Sequence, residues 1–286
     1  MRRRYFRALL FITYTVLLAA SCDSDEPAPK AKSIPAPPAP ELPPTPAREV
    51  TFPTADAAHV SGTLYLARDQ SAPAVLLVHR FRGSRRELAG LADRLARAER
   101  RYTILNLDLR GHGQSIGGDG GVHSFAELKP QELPNLQADI LAALDFVRDE
   151  TDAKLRSVII VGDGLGGTLA ALAAAQRPNI AGLALISPGR KLEGVDLYEA
   201  YLPVRRLPLF LARSSSDNVS SVPADDLSRM ARAPVTVKTY TQAGRGARLL
   251  TMAGAPLFVD LESWLMSLYD VTPPERPVPK AGPSAG

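Results

Sequence analysis

The stretch Ser157-Val-Ile-Ile-Val-Gly-Asp-Gly-Leu-Gly-Gly167 decides the fold. Its first five residues form a short, nearly continuous apolar run, which is typical of a strand buried on both faces of a parallel sheet. Four of the next six residues are glycine, and a helical pattern of apolar residues runs from Gly167 to Gln176. The stretch therefore predicts a buried strand that turns sharply into a helix.

The rest of the chain repeats this alternation of strand and helix. Further apolar runs predict strands at Ala74–Val78, Thr103–Leu107, Ile180–Ile186 and Pro208–Leu211, and Val235–Tyr240 is a final strand candidate. Helical periodicity predicts helices at Arg85–Glu99, Glu132–Arg148, Ala224–Ala231 and Ala255–Leu268. We therefore expect an α/β fold with a mostly parallel central sheet and helices on both faces.

Two further segments complete the predicted domain. Val50–Phe52 and Val60–Leu66 alternate in the manner of strands around a polar turn at Ala55-Asp56, which predicts an opening antiparallel pair. The segment from Gly189 to Leu207 is the place where a cap would be inserted. Because this segment is short, we expect the cap to be minimal.

The two ends of the chain have compositions that do not form a packed core. Residues 1–21 resemble an export signal, with arginines near the start, an apolar run and small residues before Cys22. The apolar run, Ala8 to Ala20, is shorter than the roughly 20 residues that span a bilayer as a helix, which disfavours a permanent transmembrane segment. Residues 22–46 and 272–286 are rich in proline and are expected to form a linker and a disordered tail. The folded domain is expected to cover residues 47–271.

Cys22 is the predicted attachment point to a membrane. The sequence Leu18-Ala-Ala-Ser-Cys22 resembles a bacterial lipobox, which implies that the thiol is acylated. The same small residues also suit ordinary signal peptidase cleavage, which would leave a free thiol. We favour the lipid anchor and expect an exported membrane lipoprotein that faces the periplasm or the exterior, in either an inner or an outer membrane.

Composition excludes several classes of function. Cys22 is the single cysteine, so neither an internal disulfide nor a cysteine metal site can form. The chain has 34 Lys and Arg against 30 Asp and Glu, and four of the arginines belong to the predicted export signal. The remainder is therefore balanced at 30 of each sign, which gives no support for nucleic-acid binding. We expect no metal and no other cofactor.

Three motifs together resemble those of the α/β-hydrolase superfamily. Gly162-Asp-Gly-Leu-Gly166 after a strand resembles the G-x-S-x-G nucleophile elbow, with glycine in place of serine. His79-Arg-Phe-Arg-Gly83 resembles the oxyanion loop H-G-x-x-G, and Asp108-Leu-Arg-Gly-His-Gly-Gln-Ser115 resembles a D-x-R-G-H-G-x-S loop. The resemblance covers about Val50 to Tyr269 and is closest in character to serine aminopeptidase-like and lysophospholipase-like members.

The resemblance also implies where a catalytic triad would lie. Gly164 stands at the nucleophile position, Asp217 at the acid position, and Arg245 at the position of the histidine base. The oxyanion amides would be those of Phe81 and Leu165, although Arg80 replaces the usual glycine. The four histidines, at positions 59, 79, 112 and 123, all precede Asp217, so none follows the family order Ser, Asp, His.

These replacements remove the standard chemistry of acyl transfer. Acyl transfer on this fold needs an oxygen nucleophile and a neutral base within about 3 Å of it. Gly164 has no side chain, and Arg245 stays protonated at ordinary pH. Asp163 could act as nucleophile only if the elbow slid by one residue, which would put Val161 and Leu165 where small residues are needed. A pair of Asp163 and Asp217 as acid and base is disfavoured, because a neighbouring arginine would hold both ionised.

The arginines of the loops allow two interpretations. Arg80, Arg82, Arg85 and Arg86 cluster near a helix start, and with Arg245 and the amides at residues 164–166 they could form an anion site centred on Arg80 and Arg245. Alternatively, Arg245 forms an ion pair with Asp217, while the remaining loop arginines are solvated; these are Arg82, Arg85 and Arg86. Histidines at the family loop positions, His79 and His112, are expected to make structural hydrogen bonds.

Three functional hypotheses follow from the sequence. The first is a noncatalytic hydrolase homologue tethered to the cell envelope, which binds an anionic small molecule or an envelope protein. The second is an esterase-like or peptidase-like hydrolase with weak or unconventional activity, since the fold is usual for hydrolases. The third is a structural envelope protein whose cleft is closed around an Arg245–Asp217 pair.

Overall fold

The computed structural model describes residues 46–67, 72–98, 102–117, 122–151, 158–177 and 179–269. The predicted export signal, Cys22, the proline-rich linker up to residue 45 and the tail from residue 272 lie outside these ranges. Among the described residues, no helix is long and apolar enough to cross a bilayer.

A single sheet of eight strands forms the centre of the described fold. Its strands are β1 (Ala47–Pro53), β2 (His59–Tyr65), β3 (Ala74–Val78), β4 (Thr103–Leu107), β5 (Val158–Asp163), β6 (Ile180–Ile186), β9 (Leu209–Ser214) and β10 (Val235–Tyr240). Their order across the sheet is β1-β2-β4-β3-β5-β6-β9-β10. β1 pairs antiparallel with β2, and β2 antiparallel with β4, whereas all other neighbours are parallel. The predicted mostly parallel sheet with an opening antiparallel pair is confirmed.

Helices cover both faces of the sheet. They are α1 (Ala89–Arg97), α2 (Gln137–Glu150), α3 (Leu165–Ala174), α4 (Leu197–Tyr201), α5 (Asn218–Met230), α6 (Ala247–Met252) and α7 (Gly254–Tyr269). Alternate residues of β3 show how the core is divided: Leu76 and Val78 pack on the face that carries α2 and α3. Val75 and Leu77 pack on the face that carries α1 and α7. Both faces are therefore apolar, as the continuous apolar strands predict.

Several helices begin at residues other than those predicted. The helix predicted from Arg85 begins as a 3₁₀ turn, Arg85–Leu88, and becomes α-helical only at Ala89. α5 begins at Asn218 rather than Ala224, because the Asp217 carboxylate accepts hydrogen bonds from the first-turn amides of Val219 and Ser220. The short helices α4 and α6 were not predicted, since neither is long enough to show a period.

The minimal cap is a small hairpin and one short helix. Strands β7 (Lys191–Leu192) and β8 (Val195–Asp196) pair antiparallel, and α4 follows directly. Asp196 accepts hydrogen bonds from the first amides of α4 and so caps this helix. The hairpin stands over the carboxyl ends of the parallel strands, where α/β folds usually carry their ligand sites.

Candidate functional site

The elbow at Gly164 keeps the backbone geometry of a sharp strand-to-helix turn. β5 ends at Asp163 and α3 begins at Leu165, which leaves Gly164 alone between them with φ 54° and ψ −118°. This conformation is costly for residues that carry a Cβ and accessible to glycine. The next glycine serves close packing, because a Cβ at Gly166 would lie 2.4 Å from the carbonyl oxygen of His79. The elbow therefore survives in a form that carries no nucleophile.

Arg245 and Asp217 form the ion pair that was expected as one alternative. Arg245 lies in the loop after β10, and its Nε is 3.7 Å from Oδ2 of Asp217. Asp217 is buried and also accepts hydrogen bonds from the amides of Val219, at 3.1 Å, and Ser220, at 3.3 Å, and from the Ser220 hydroxyl. The Asp217 carboxylate is therefore well hydrogen-bonded without Arg245, and the Arg245 guanidinium contributes the weakest of its contacts.

A cleft of about 420 Å³ opens above the elbow. Apolar side chains on its wall include Phe81, Leu165 and Leu192. The charged side chains of the cleft are Arg80, Asp163, Glu193, Arg245 and Arg248, and the remaining lining residues are Gly164, Gly246 and Ala247. The structure thus brings together the predicted positions 80, 81, 164, 165 and 245, whereas Asp217 lies behind Arg245 and does not line the cleft. The cleft is open rather than closed around the Arg245–Asp217 pair.

Arg80 lies beside the elbow. Its Nη2 donates a 2.7 Å hydrogen bond to Oε1 of Glu87, and its Nη1 donates a longer one, 3.4 Å, to the carbonyl oxygen of Phe81. A Cβ at Gly164 would lie 3.3 Å from Cβ of Arg80. The Arg80 side chain therefore lies next to the nucleophile position, at a residue where the family loop usually has glycine.

Asp163 is the residue of the cleft that sequence reasoning undervalued. Its side chain is 1% exposed, and neither carboxyl oxygen has a hydrogen-bond partner in the described structure. Burial raises its pKa to about 7, against the attraction of Arg80 and Arg245 and with a smaller push from Glu87. The expectation that a neighbouring arginine would hold Asp163 ionised is therefore wrong, because loss of water outweighs the two guanidinium groups. The sequence did contain a signal for this role, because Asp163 lies between two glycines at the end of a buried strand.

His79 and His112 make the structural hydrogen bonds expected of them. The Nδ1 of each ring donates to a backbone carbonyl, that of Arg80 at 2.7 Å and that of Arg110 at 3.0 Å. Each Nε2 accepts from a backbone amide, Leu109 and Arg82 respectively. Burial lowers the pKa of both rings, that of His79 to about 3. Both rings are therefore neutral and fully engaged away from the cleft.

Arg85 contradicts the prediction that the loop arginines are solvated. Its side chain is buried, with Nη1 3.2 Å from Oδ2 of Asp108 and Nη2 bonded to Gln114 at 2.7 Å and to Glu49. These partners lie 23 to 36 residues away in sequence, so local pattern could not reveal them. Arg82 and Arg86 are exposed, as predicted. No group of three or more His, Cys, Asp or Glu side chains suited to a metal occurs within the described ranges.

Comparison with known proteins identifies the family of this chain. A family model described as serine aminopeptidase, S33, matches residues 69–243. The uncharacterized protein Rv2307c of Mycobacterium tuberculosis is 29% identical over 232 residues, which cover 75% of this chain and 73% of that protein.

Solved structures show the same architecture at low identity. The Pyrococcus furiosus esterase Pf2001 superposes with a TM-score of 0.61 at 15% identity, covering 78% of this chain and 90% of that chain. A dienelactone hydrolase from Anabaena variabilis superposes with a TM-score of 0.61 at 17% identity, covering 78% of this chain and 97% of that chain. At such identities the likeness concerns the fold. With the family model matching more than half of its length, this chain belongs to the serine aminopeptidase S33 family and has the α/β-hydrolase fold.

Proposed function

We propose that this protein is a noncatalytic member of its family, which uses the cleft above the elbow to bind a small anionic ligand. The composition of the cleft carries the proposal: among the described residues that line it, there is no serine, threonine, cysteine or histidine. Gly164 offers no nucleophile, and Arg245 cannot accept a proton at ordinary pH. The cleft therefore lacks both the nucleophile and the general base of the family's usual covalent mechanism.

The open cleft supports a binding role over a purely structural one. A cleft of about 420 Å³ lies in the range of volumes that small-molecule sites occupy. Arg80, Arg245 and Arg248 line it, which favours ligands with negative charge. An envelope protein remains the alternative occupant, since a protruding side chain could enter the same space. The predicted export signal and the predicted lipidation of Cys22 favour a location at the cell envelope, with a lipid anchor as the tether.

A second candidate function is hydrolysis by an unconventional route. Asp163 favours it, because a buried carboxyl whose pKa is about 7 can accept a proton from water near neutral pH. Without a nucleophile at residue 164, such a reaction would be direct attack by water on a bound ester. We rank it second because no described lining residue is a histidine, and the arginines of the cleft neither accept nor release a proton at ordinary pH.

Turnover of short-chain nitrophenyl esters and aminoacyl amides tests the proposal. We expect the full chain to hydrolyse them at the rate of protein-free buffer, whereas an active esterase assayed in parallel hydrolyses them readily. The matched variants are Asp163→Asn and Asp217→Ala. Turnover above background in the wild type that disappears in either variant would replace the noncatalytic assignment with the hydrolytic one and identify the carboxylate responsible.

A further inference from the structure

Asp163 is a buried carboxyl at the floor of the cleft, and neither of its oxygens has a hydrogen-bond partner among the described residues. Buried polar groups are almost always hydrogen-bonded, and an unsatisfied one costs about 1–3 kcal/mol, more when it is charged. By the geometry of this group and the arginines around it, we infer that the cleft is a site for an aliphatic monocarboxylate, whose carboxylate shares a proton with Asp163. The inference rests on the proposed function, because it names the ligand of the binding cleft that the proposed function assigns.

The charges around Asp163 favour a carboxylate over an ammonium ligand. Arg80, from the loop after β3, and Arg245, from the loop after β10, both act on Asp163 electrostatically, and Glu87 acts with the opposite sign. Arg248, on α6, lines the same cleft, and no ion pair involves it in the part of the chain that the structure describes. An ammonium group would meet these guanidinium groups, whereas a carboxylate is attracted to them.

The acids of the cleft limit the ligand to one negative charge. Glu193, in the hairpin between β7 and β8, and Asp163 are the two acidic lining residues. A phosphate monoester, which carries nearly two charges at pH 7, would meet both of them. A carboxylate brings a single charge, and its oxygens can take up the proton of Asp163 in a hydrogen bond. This pairing removes the negative charge of Asp163 from beside the ligand.

The apolar wall suggests the rest of the ligand. Phe81, Leu165 and Leu192 line the cleft beside its charged floor. A short hydrocarbon chain would bury apolar surface against them at about 25 cal/mol per Å². The size of the cleft suits a small amphiphilic ligand. Such a ligand would be bound through its carboxylate group and the first part of its hydrocarbon chain.

Proton sharing makes binding depend on pH in a defined direction. The free protein holds the Asp163 proton below about pH 7, because burial raises the pKa of this carboxyl. The protonated form is the one that accepts a carboxylate, so affinity falls as pH rises through this value. With a pKa of about 7, the competent fraction falls about tenfold between pH 6 and pH 8, and the apparent Kd rises by the same factor.

Calorimetric titration of the full chain with octanoate tests the inference. We expect binding at pH 6 that is about tenfold weaker at pH 8. Asp163→Asn supplies an amide donor at every pH, so its affinity should stay within about twofold between the two pH values. Arg248→Gln should weaken binding by about threefold, and the exposed Arg86→Gln, away from the cleft, should leave it unchanged. Octan-1-ol and octylammonium are the neutral and cationic probes.

The outcomes separate this inference from the proposed function. Absence of octanoate binding at pH 6 by the folded wild type would overturn the ligand assignment and leave the noncatalytic proposal intact. Equal binding of octan-1-ol, preferential binding of octylammonium, or a pH dependence that persists in Asp163→Asn would also overturn it. Turnover of nitrophenyl octanoate by the wild type would instead defeat the proposed function, whatever the titrations show.

Discussion

Two buried aspartates at the same edge of the sheet differ in one respect. Asp108 follows β4 and Asp163 ends β5, and their exposed fractions are 2% and 1%. Asp108 accepts hydrogen bonds from the amides of Arg85, at 2.7 Å, and Gln114, at 3.0 Å, and lies against the Arg85 guanidinium. Asp163 has no such partner among the described residues. The first carboxylate is held by hydrogen bonds and an ion pair, whereas the second has neither and is attracted only electrostatically by Arg80 and Arg245. This difference is the observation on which the proposed ligand site rests.

The largest expected effect is the loss of the Asp108 carboxylate. In Asp108→Asn, the amide offers one acceptor oxygen to the donors that the carboxylate served with two. The buried Arg85 guanidinium also loses one of its two counter-charges, and the exposed Glu49 remains. Breaking a buried pair by removing one partner typically costs 3–5 kcal/mol, and we expect about 3 kcal/mol here. Urea unfolding at pH 7 measures this loss.

Asp163→Asn is the matched control for that substitution. It changes the same atoms at similar burial but breaks no hydrogen bond, so the free energy of unfolding at pH 7 should not fall. Equal losses in the two variants would mean that Asp163 is held by contacts equivalent to those of Asp108, and the comparison would fail.

A smaller effect is expected at the elbow. In Gly164→Ala, an alanine must adopt the backbone φ of 54°, and its Cβ would lie 3.3 Å from Cβ of Arg80. Strained backbone of this kind costs about 1–3 kcal/mol, and we expect a loss of about 2 kcal/mol in thermal or urea unfolding. Gly90→Ala is the control, since Gly90 lies in α1 with no atom within 4 Å of its Cβ position. That variant should gain about 0.5 kcal/mol, and a loss as large as that of Gly164→Ala would argue against strain at the elbow.

The contrast between the two aspartates also shows how far sequence could go. The β3, β4 and β6 boundaries followed from apolar runs alone, because a buried strand is apolar on both faces. The meeting of residues 80, 164 and 245 was implied by the resemblance to α/β hydrolases. What could not be predicted were contacts of long sequence separation, such as Arg85 with Asp108, and the missing partners of Asp163. A hydrogen bond that is absent leaves no trace in a sequence, since it depends on every neighbour in three dimensions.

The pH dependence of stability sharpens the comparison at Asp163 itself. The folded state keeps this proton up to about pH 7, whereas an exposed aspartate releases it near its ordinary pKa of 3.8. Between these values the folded state binds more protons than the unfolded state, so the free energy of unfolding falls as pH rises. The slope is about 1.4 kcal/mol per pH unit for one group.

Asp163→Asn removes this slope. From pH 5 to pH 6, the free energy of unfolding of the variant should therefore rise by about 1.4 kcal/mol relative to the wild type. Urea unfolding of both proteins at the two pH values gives the difference directly. A constant difference would mean that Asp163 is ionised throughout this range, and the proton-sharing carboxylate site would lose its basis.

The smallest effect is expected at the Arg245–Asp217 pair. Arg245 is about a third exposed, and its Nε lies 3.7 Å from the carboxylate, which keeps its bonds to the Val219 and Ser220 amides and the Ser220 hydroxyl. Arg245→Gln should therefore cost less than about 1 kcal/mol in urea unfolding. Ser220→Ala, which removes a buried donor to the same carboxylate, should cost more, about 2 kcal/mol. If Arg245→Gln were the more damaging of the two, the guanidinium would be holding the loop after β10 in place. Its presence in the cleft would then reflect structure, which would favour a scaffolding protein over a binder of anions.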